Sequence, residues 1–222
     1  MSKAHLEAVL WDMDGVIADT ADYHYNAWRE VLAERGVTLT RADFMKLFGQ
    51  RHDTIIKFAL GDKLPPEEFD KINARKQSIY RRNVAQNIVP LPGAVALIKA
   101  LKKYHIKTAI GSSAVQANID VILQGLGIEK DFQAIVPGTE VAEGKPSPLI
   151  FQLAAKKLGV KPANCVVIED AIAGVAAAKS AGMKCLAVTN SHPTQSLKDA
   201  DLIVDTLEKV DINTLKALFD KE

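Results

Sequence analysis

The sequence predicts an α/β fold: a parallel, Rossmann-like sheet core with an inserted all-helical cap domain. Three observations predict it. From about Val89 onward, short apolar runs alternate with helical patterns. An isolated apolar run, Leu6 to Trp11, stops abruptly at Asp12. Between them, about Thr20 to Ile88, the pattern is helical throughout. Alternating strand and helix implies a parallel sheet with helices on both faces, and a strand-free stretch after the first strand implies an insertion.

Leu6 to Trp11 is short, apolar and ended by an acid, as expected of a buried strand running into a polar loop. Helices are expected over Asp22 to Arg35, closed by Gly36, then over Arg41 to Phe48, Asp53 to Leu60 and Pro66 to about Ala85. Pro65-Pro66 suits the entry to the last of these, because proline is tolerated in a first helical turn. Pro90, Pro92 and Gly93 punctuate the return to the core. The division is therefore 1–19 and 89–222 for the core and 20–88 for the cap.

Within the core, strands are expected over Lys107 to Gly111, Ala134 to Pro137, Cys165 to Ile168, Lys184 to Val188 and Leu202 to Val204. Leu97, Ile98, Leu101 and Tyr104 mark one helical face, and Phe151, Ala154, Ala155 and Leu158 another. Gly182 follows the alanine-rich stretch Val175 to Ala181, where a left-handed helix cap would fall.

Composition narrows the function classes. With 28 lysines and arginines against 27 acids, the net charge is +1, so no global field draws in nucleic acid or an anionic membrane. An anionic ligand must be held by local geometry. Cys165 and Cys185 head apolar runs and read as buried thiols, without the spacing of a disulfide framework or zinc site. The N-terminus, MSKAHLEAVLWDMDG, lacks the apolar stretch of a signal peptide, and no run approaches the roughly 18 residues of a membrane span. A cytoplasmic location and a monomer are the expectations.

The chemistry begins at Trp11-Asp12-Met13-Asp14-Gly15-Val16. Two carboxylates, one residue apart at a strand end, would sit in the crevice where open α/β sheets bind ligands. An aspartate can attack a phosphoryl group if a divalent cation offsets its charge. Read alone, the pair is equally a polar strand end with a turn cap. Three further segments shift the balance. Ile110-Gly111-Ser112-Ser113 ends a strand in a hydroxyl; alone, Ser112 reads as an ordinary cap. Glu143-Gly144-Lys145-Pro146 frames a lysine in a rigid loop; alone, it reads as a solvated charge. Val167-Ile168-Glu169-Asp170 ends a strand in two acids, and Ala171-Ile172-Ala173-Gly174 after it reads as a tight turn. In that order the four segments form a phosphoryl-transfer kit.

These segments, DMDGVIADT, a strand ending in Ser112, GKPSP and VIEDAIAG, resemble the haloacid dehalogenase-like hydrolase superfamily. Within it they are similar to the β-phosphoglucomutase-like group with a helical cap, over essentially the whole chain. The resemblance implies Asp12 as nucleophile and Asp14 as general acid/base. It implies Mg²⁺ held by the Asp12 carboxylate, the Asp14 main-chain carbonyl and Asp170, with Glu169 joining directly or through water. Ser112 and Lys145 would hold the phosphoryl oxygens, and Thr20 would lie at the hinge. An acid at Asp14 separates the chain from dehalogenases and phosphonate hydrolases, which differ there.

Thr20-Ala21-Asp22-Tyr23-His24-Tyr25-Asn26-Ala27-Trp28 resembles the first cap helix of that group. His24 is expected to reach toward the phosphoryl site, while Trp28, Tyr23 and Tyr25 are expected to pack. Gly49-Gln50-Arg51-His52-Asp53 resembles a substrate-contacting cap loop, with the arginine one residue earlier than in the mutases. Ser113 joins Thr20, His24 and Arg51 as a substrate or cap residue. After Ser112, however, Ala114-Val115-Gln116 stands where the mutases carry Ser-Lys-Asn to grip a second phosphate. The leading expectation is thus a hydrolase of a small phosphorylated metabolite, a sugar phosphate above all. The rival is β-phosphoglucomutase. The third reading, a non-catalytic phospho-acceptor receiver, sits poorly with the cap and with Asp14.

Overall fold

The computed structural model describes residues 3–47 and 52–220. The chain divides into two compact units, Met1–Asp19 with Val89–Glu222, and Thr20–Ile88. In chain order, β1 (Ala8–Trp11) is followed by α1 (Ala21–Ala33), α2 (Arg41–Leu47), α3 (His52–Leu60) and α4 (Pro66–Asn87). Then come α5 (Ala94–Lys103), β2 (Lys107–Ser112), α6 (Gln116–Leu126), β3 (Ala134–Pro137) and α7 (Leu149–Leu158). The chain continues with β4 (Cys165–Glu169), α8 (Ile172–Ser180), β5 (Lys184–Val188), β6 (Leu202–Val204) and α9 (Ile212–Lys216).

The strands form one parallel sheet in the order β3-β2-β1-β4-β5-β6. β1 lies in the middle and is wholly buried, which is why it reads as an unbroken apolar run. On one face, Ala8, Leu10 and Val167 pack with Phe151, Ala154 and Ala155 of α7 and Val175 and Ala178 of α8. The expected α7 stripe is buried as a whole, including Leu158. Cys165 and Cys185 are free and buried. Burial pushes the Cys165 thiol up to about 12, aided by the negative charge of Glu7.

Two expectations in this unit are corrected. In α5, Leu97, Ile98 and Leu101 are buried, but Tyr104 lies past the helix end and is 61% exposed. His105 takes a left-handed φ of 54°, so the chain leaves the helix directly after Tyr104, the capping residue. Ala171 to Gly174 is not a tight turn: α8 begins at Ile172. Just ahead of the helix, the Glu169 carboxylate accepts the amides of Asp170 (2.8 Å) and Ala171 (2.9 Å), while Ala171 at the N-cap makes no side-chain capping bond. At its other end, Gly182 adopts φ 74° and donates to the Lys179 carbonyl at 3.0 Å, closing the helix as expected.

In the helical unit, α1 packs along α4. Trp28, Val31 and Leu32 of α1 are buried, as are Ile72, Ile79, Tyr80 and Val84 of α4. Pro65 and Pro66 stand at the entry of α4. Arg75–Glu34 (2.8 Å) and Arg82–Glu30 (2.9 Å) bridge the two helices on the outside; such exposed pairs contribute little beyond orientation. Among the described residues, no helix is long and apolar enough to cross a membrane.

Candidate active site

The register of the sheet sets the site. Trp11 pairs with Ile110 on one side and Ile168 on the other, so Asp12, just past β1, lies level with Gly111 and Glu169 near the carboxyl ends of β2 and β4. The Asp12 amide still donates to the Ile168 carbonyl (3.0 Å), which extends the ladder to the residue that carries the first carboxylate. Gly15 then takes φ 81°, a conformation that glycine adopts without strain, and its amide returns to the Ala18 carbonyl (2.9 Å). A methyl at Gly15 would overlap the Asp170 carboxylate, and one at Gly174 would overlap that of Glu169. Both acids therefore rest against bare backbone.

Lys145 joins these strand ends. Its Nζ donates to Asp12 Oδ1 at 2.5 Å and to Glu169 Oε1 at 2.6 Å, and it lies 4.9 Å from the centroid of the Phe151 ring. Gly111 leaves room for that ring: a Cβ there would come within 3.0 Å of it. The loop is held by the Ser147 amide donating to the Gly144 carbonyl (3.0 Å), with the Lys145–Pro146 peptide cis. Ser112 is buried at the end of β2, where its hydroxyl accepts the Ala114 amide at 3.1 Å. Ser113, the next residue, is exposed.

Asp12, Glu169 and Asp170 are all buried, and one oxygen from each lies within 4.8 Å of the others. Burial, and behind it the charges of Glu169, Asp170 and Asp14, holds the Asp12 carboxyl well above the usual range despite the pull of Lys145. Asp170 is pushed up to about 7, by burial first and Glu169 second, against its bond from Ser191 and the charge of Lys145. Burial acts to lower Lys145, yet Asp12 and Glu169 hold its ammonium above its ordinary value. Three ionised carboxylates and one ammonium leave two negative charges without a partner in a low-dielectric site. A divalent cation bound by hard oxygens balances that sum, and the donor set, carboxylate oxygens alone, fits the Mg²⁺ and Ca²⁺ class over thiolate-seeking metals.

The remaining expected residues fall elsewhere. Thr20 and His24 belong to the helical unit. Thr20 is buried at the start of α1, where its carbonyl accepts the His24 amide at 3.0 Å. His24 stacks on Tyr80 with centroids 4.2 Å apart, and its Nδ1 lies 2.8 Å from Nζ of Lys76. Lys76 is fully buried, with its ammonium 5.4 Å from the Trp28 ring and 5.1 Å from that of Tyr80. Tyr23 donates to the Asn87 carbonyl at 2.7 Å, and Tyr25 tilts against Phe44 at 5.5 Å. Arg51 lies outside the described residues.

Sequence reasoning missed three contributors to this site and, in the helical unit, one buried lysine. Lys76 sits in an ordinary-looking polar helix, and nothing local announces its burial beside His24. Phe151 reads as core, which it is, while also lying under Lys145. Asn190 and Ser191 follow β5; the Asn190 side-chain Nδ2 donates to the Gly15 carbonyl at 2.8 Å, and the Ser191 hydroxyl donates to Asp170 Oδ2. Their one available signal is their position, since polar residues at the carboxyl end of a parallel strand face the ligand crevice.

Comparison with known proteins agrees with this geometry. The chain is 38% identical to a β-phosphoglucomutase of Bacillus subtilis over 208 residues, 90% of this chain and 89% of that protein. It is 32% identical to a phosphorylated carbohydrates phosphatase of Thermotoga maritima, covering 95% of this chain and 99% of the relative. Among solved structures, CbbY of Rhodobacter sphaeroides in complex with xylulose 1,5-bisphosphate superposes with a TM-score of 0.86 at 27% identity, over 95% of this chain and 99% of that one. The family pattern of the haloacid dehalogenase-like hydrolases matches residues 6–182. The chain belongs to the haloacid dehalogenase-like hydrolases, in their β-phosphoglucomutase-like group, and is a phosphoryl-transfer enzyme.

Proposed function

We propose that the chain is a Mg²⁺-dependent phosphomonoester hydrolase acting on a small sugar phosphate through a phospho-aspartate on Asp12. The observation that carries this reading is the convergence of Lys145 on Asp12 and Glu169, beside Asp170. An Asp12 oxygen attacks phosphorus as the bond to the sugar oxygen breaks, and Asp14 gives that oxygen its proton. Asp14 then takes a proton from water, whose oxygen attacks the same phosphorus and frees Asp12. Lys145 has three N–H donors and uses two on the acids, so one remains for a phosphoryl oxygen, with the Ser112 hydroxyl as a further donor. Mg²⁺, held by the Asp12 carboxylate, the Asp14 main-chain carbonyl, Asp170 and Glu169 (directly or through water), would offset the negative charge that builds up during transfer. Both oxygens of Glu169 already accept hydrogen bonds, which favours its reaching the ion through water.

The sugar phosphate class is supported by the carbohydrate phosphatase and by the sugar bisphosphate bound in the CbbY structure. A second reading, β-phosphoglucomutase, is favoured by the Bacillus subtilis relative. Against it stands the loop after Ser112. Val115 is the residue preceding α6 and its side chain makes no capping bond; neither it nor Ala114 offers a cation or hydroxyl to a second phosphate. A charge-assisted phosphate contact is typically the stronger kind, so a bisphosphate should leave more readily and water should compete for the phospho-aspartate. β-Glucose 1-phosphate primed with its 1,6-bisphosphate is expected to release phosphate faster than it yields glucose 6-phosphate. Rapid isomerisation with negligible phosphate release would overturn the hydrolase reading.

A further inference from the structure

We infer that Ser191 restricts Asp170 to one metal-facing oxygen and thereby selects Mg²⁺ over Ca²⁺ at the acidic cluster. The inference deepens the proposed divalent-cation site and rests on it. Asp170 is buried, and its Oδ2 is enclosed from two sides. The Ser191 hydroxyl donates to it, and the bare Cα of Gly15 lies so close that a methyl there would overlap it. That oxygen is committed to the loop, which leaves Oδ1 to meet a cation.

The restraint is anchored as well as present. Ser191 is itself exposed, yet its segment is tied down at each residue. The Thr189 amide donates to the Val204 carbonyl at 3.0 Å, extending the β5–β6 ladder. The Asn190 side chain donates to the Gly15 carbonyl at 2.8 Å. The hydroxyl at Ser191 thus reaches Asp170 from a segment fixed both to the sheet and to the turn that follows the first pair of acids.

The chemical consequence follows from coordination preference. Mg²⁺ takes six ligands in a strict octahedron and suits carboxylates that each give one oxygen. Ca²⁺ takes six to eight and readily recruits a carboxylate through both oxygens. A carboxylate whose second oxygen is held by a hydroxyl and blocked by backbone cannot rotate into the two-oxygen mode. Removing the hydroxyl lifts one of the two restraints on Oδ2, so Asp170 can turn further toward that mode, and the gain goes to the larger ion.

The test uses metal-free full-length protein and Mn²⁺ as the probe. Mn²⁺ binding is followed by electron paramagnetic resonance, then Mg²⁺ and Ca²⁺ are titrated as competitors against wild type, Ser191→Ala and Ser191→Thr. The ratio of Ca²⁺ to Mg²⁺ affinity is expected to rise at least about threefold in Ser191→Ala and to return to the wild-type value in Ser191→Thr, which keeps the hydroxyl. An unchanged ratio in Ser191→Ala, with Mn²⁺ still bound, overturns this inference and leaves the divalent site standing. Absence of Mn²⁺ binding in the wild type overturns both.

Discussion

At Asp12, burial and reactivity pull in opposite directions. The carboxylate must be ionised to attack phosphorus, yet burial and three neighbouring acids favour its protonated form. Lys145 offsets part of this at 2.5 Å, and a divalent cation would offset the rest. Asp14 stands differently: it is half-buried, at the turn that Gly15 closes, where it is open enough to exchange a proton. The two acids are therefore expected to fail differently when altered. Asp12→Asn removes the attacking oxygen and should abolish turnover in a folded protein. Asp14→Asn leaves the nucleophile and should slow turnover by roughly two to four orders of magnitude, the usual worth of general acid–base catalysis. Steady-state assay on any accepted sugar phosphate, with circular dichroism to confirm folding, checks both. Near-wild-type turnover of Asp12→Asn would remove Asp12 from the mechanism.

At the scale of elements, the junction of β4 and α8 carries much of the site. Glu169 ends the strand, bonds Lys145 with one oxygen, and accepts two amides with the other as the helix begins. Gly174, within the first turn of α8, has no side chain because the Glu169 carboxylate occupies that space. Replacing a helical glycine with alanine normally stabilises by roughly 0.5–1 kcal/mol. Here the sign should reverse: Gly174→Ala is expected to lower the melting temperature and to depress activity by displacing Glu169. Gly144→Ala, where a methyl meets nothing within 4 Å, should stay within about 0.5 kcal/mol of wild type. Parallel thermal melts separate the two, and a stabilised Gly174→Ala would show that the carboxylate can move aside without cost.

For the molecule as a whole, the strand order β3-β2-β1-β4-β5-β6 places the chain's change of direction between β1 and β4. The connections run one way from β1 to β3 and the other way from β4 to β6, so the loops beyond the two central strands diverge and open a crevice. Asp12 lies on one side of that point, Glu169 and Asp170 on the other. Gathering acids there works against stability. A carboxyl with a raised folded pKa binds its proton more tightly in the folded state, so the metal-free fold loses stability as pH rises between the two values. For Asp170 the window runs from the ordinary 3.8 to about 7. Metal-free Asp170→Asn is therefore expected to melt above metal-free wild type at pH 8, by roughly 2–8 °C, with the gap shrinking toward pH 5. Differential scanning calorimetry at the two pH values reads it directly. A lower melting temperature for the variant at pH 8 would mean that Lys145 already satisfies the cluster.

The sequence by itself determined the parallel α/β core with its strands and the run of helices between the first strand and the rest, and it singled out Asp12, Ser112, Lys145, Glu169 and Asp170 as candidates. Those features are local: an apolar run with a charged stop, a helical period, a glycine or proline at a boundary. Each can be read from neighbours along the chain. The tertiary structure alone decided what those residues do to one another. α8 begins at Ile172, inside the turn-like sequence from Ala171 to Gly174, beside a Glu169 side chain that folds back onto its own strand end. Tyr104 lies past the last residue of α5 and is exposed where burial was expected. Ser191 lies 21 residues from Asp170, Asn190 lies 175 from Gly15, and Lys76 lies 52 from His24. No periodicity links residues at such separations. Only the sheet's crossover connections and the packing of helix on helix bring them together, and it is there that charge balance, ligand geometry and burial are fixed.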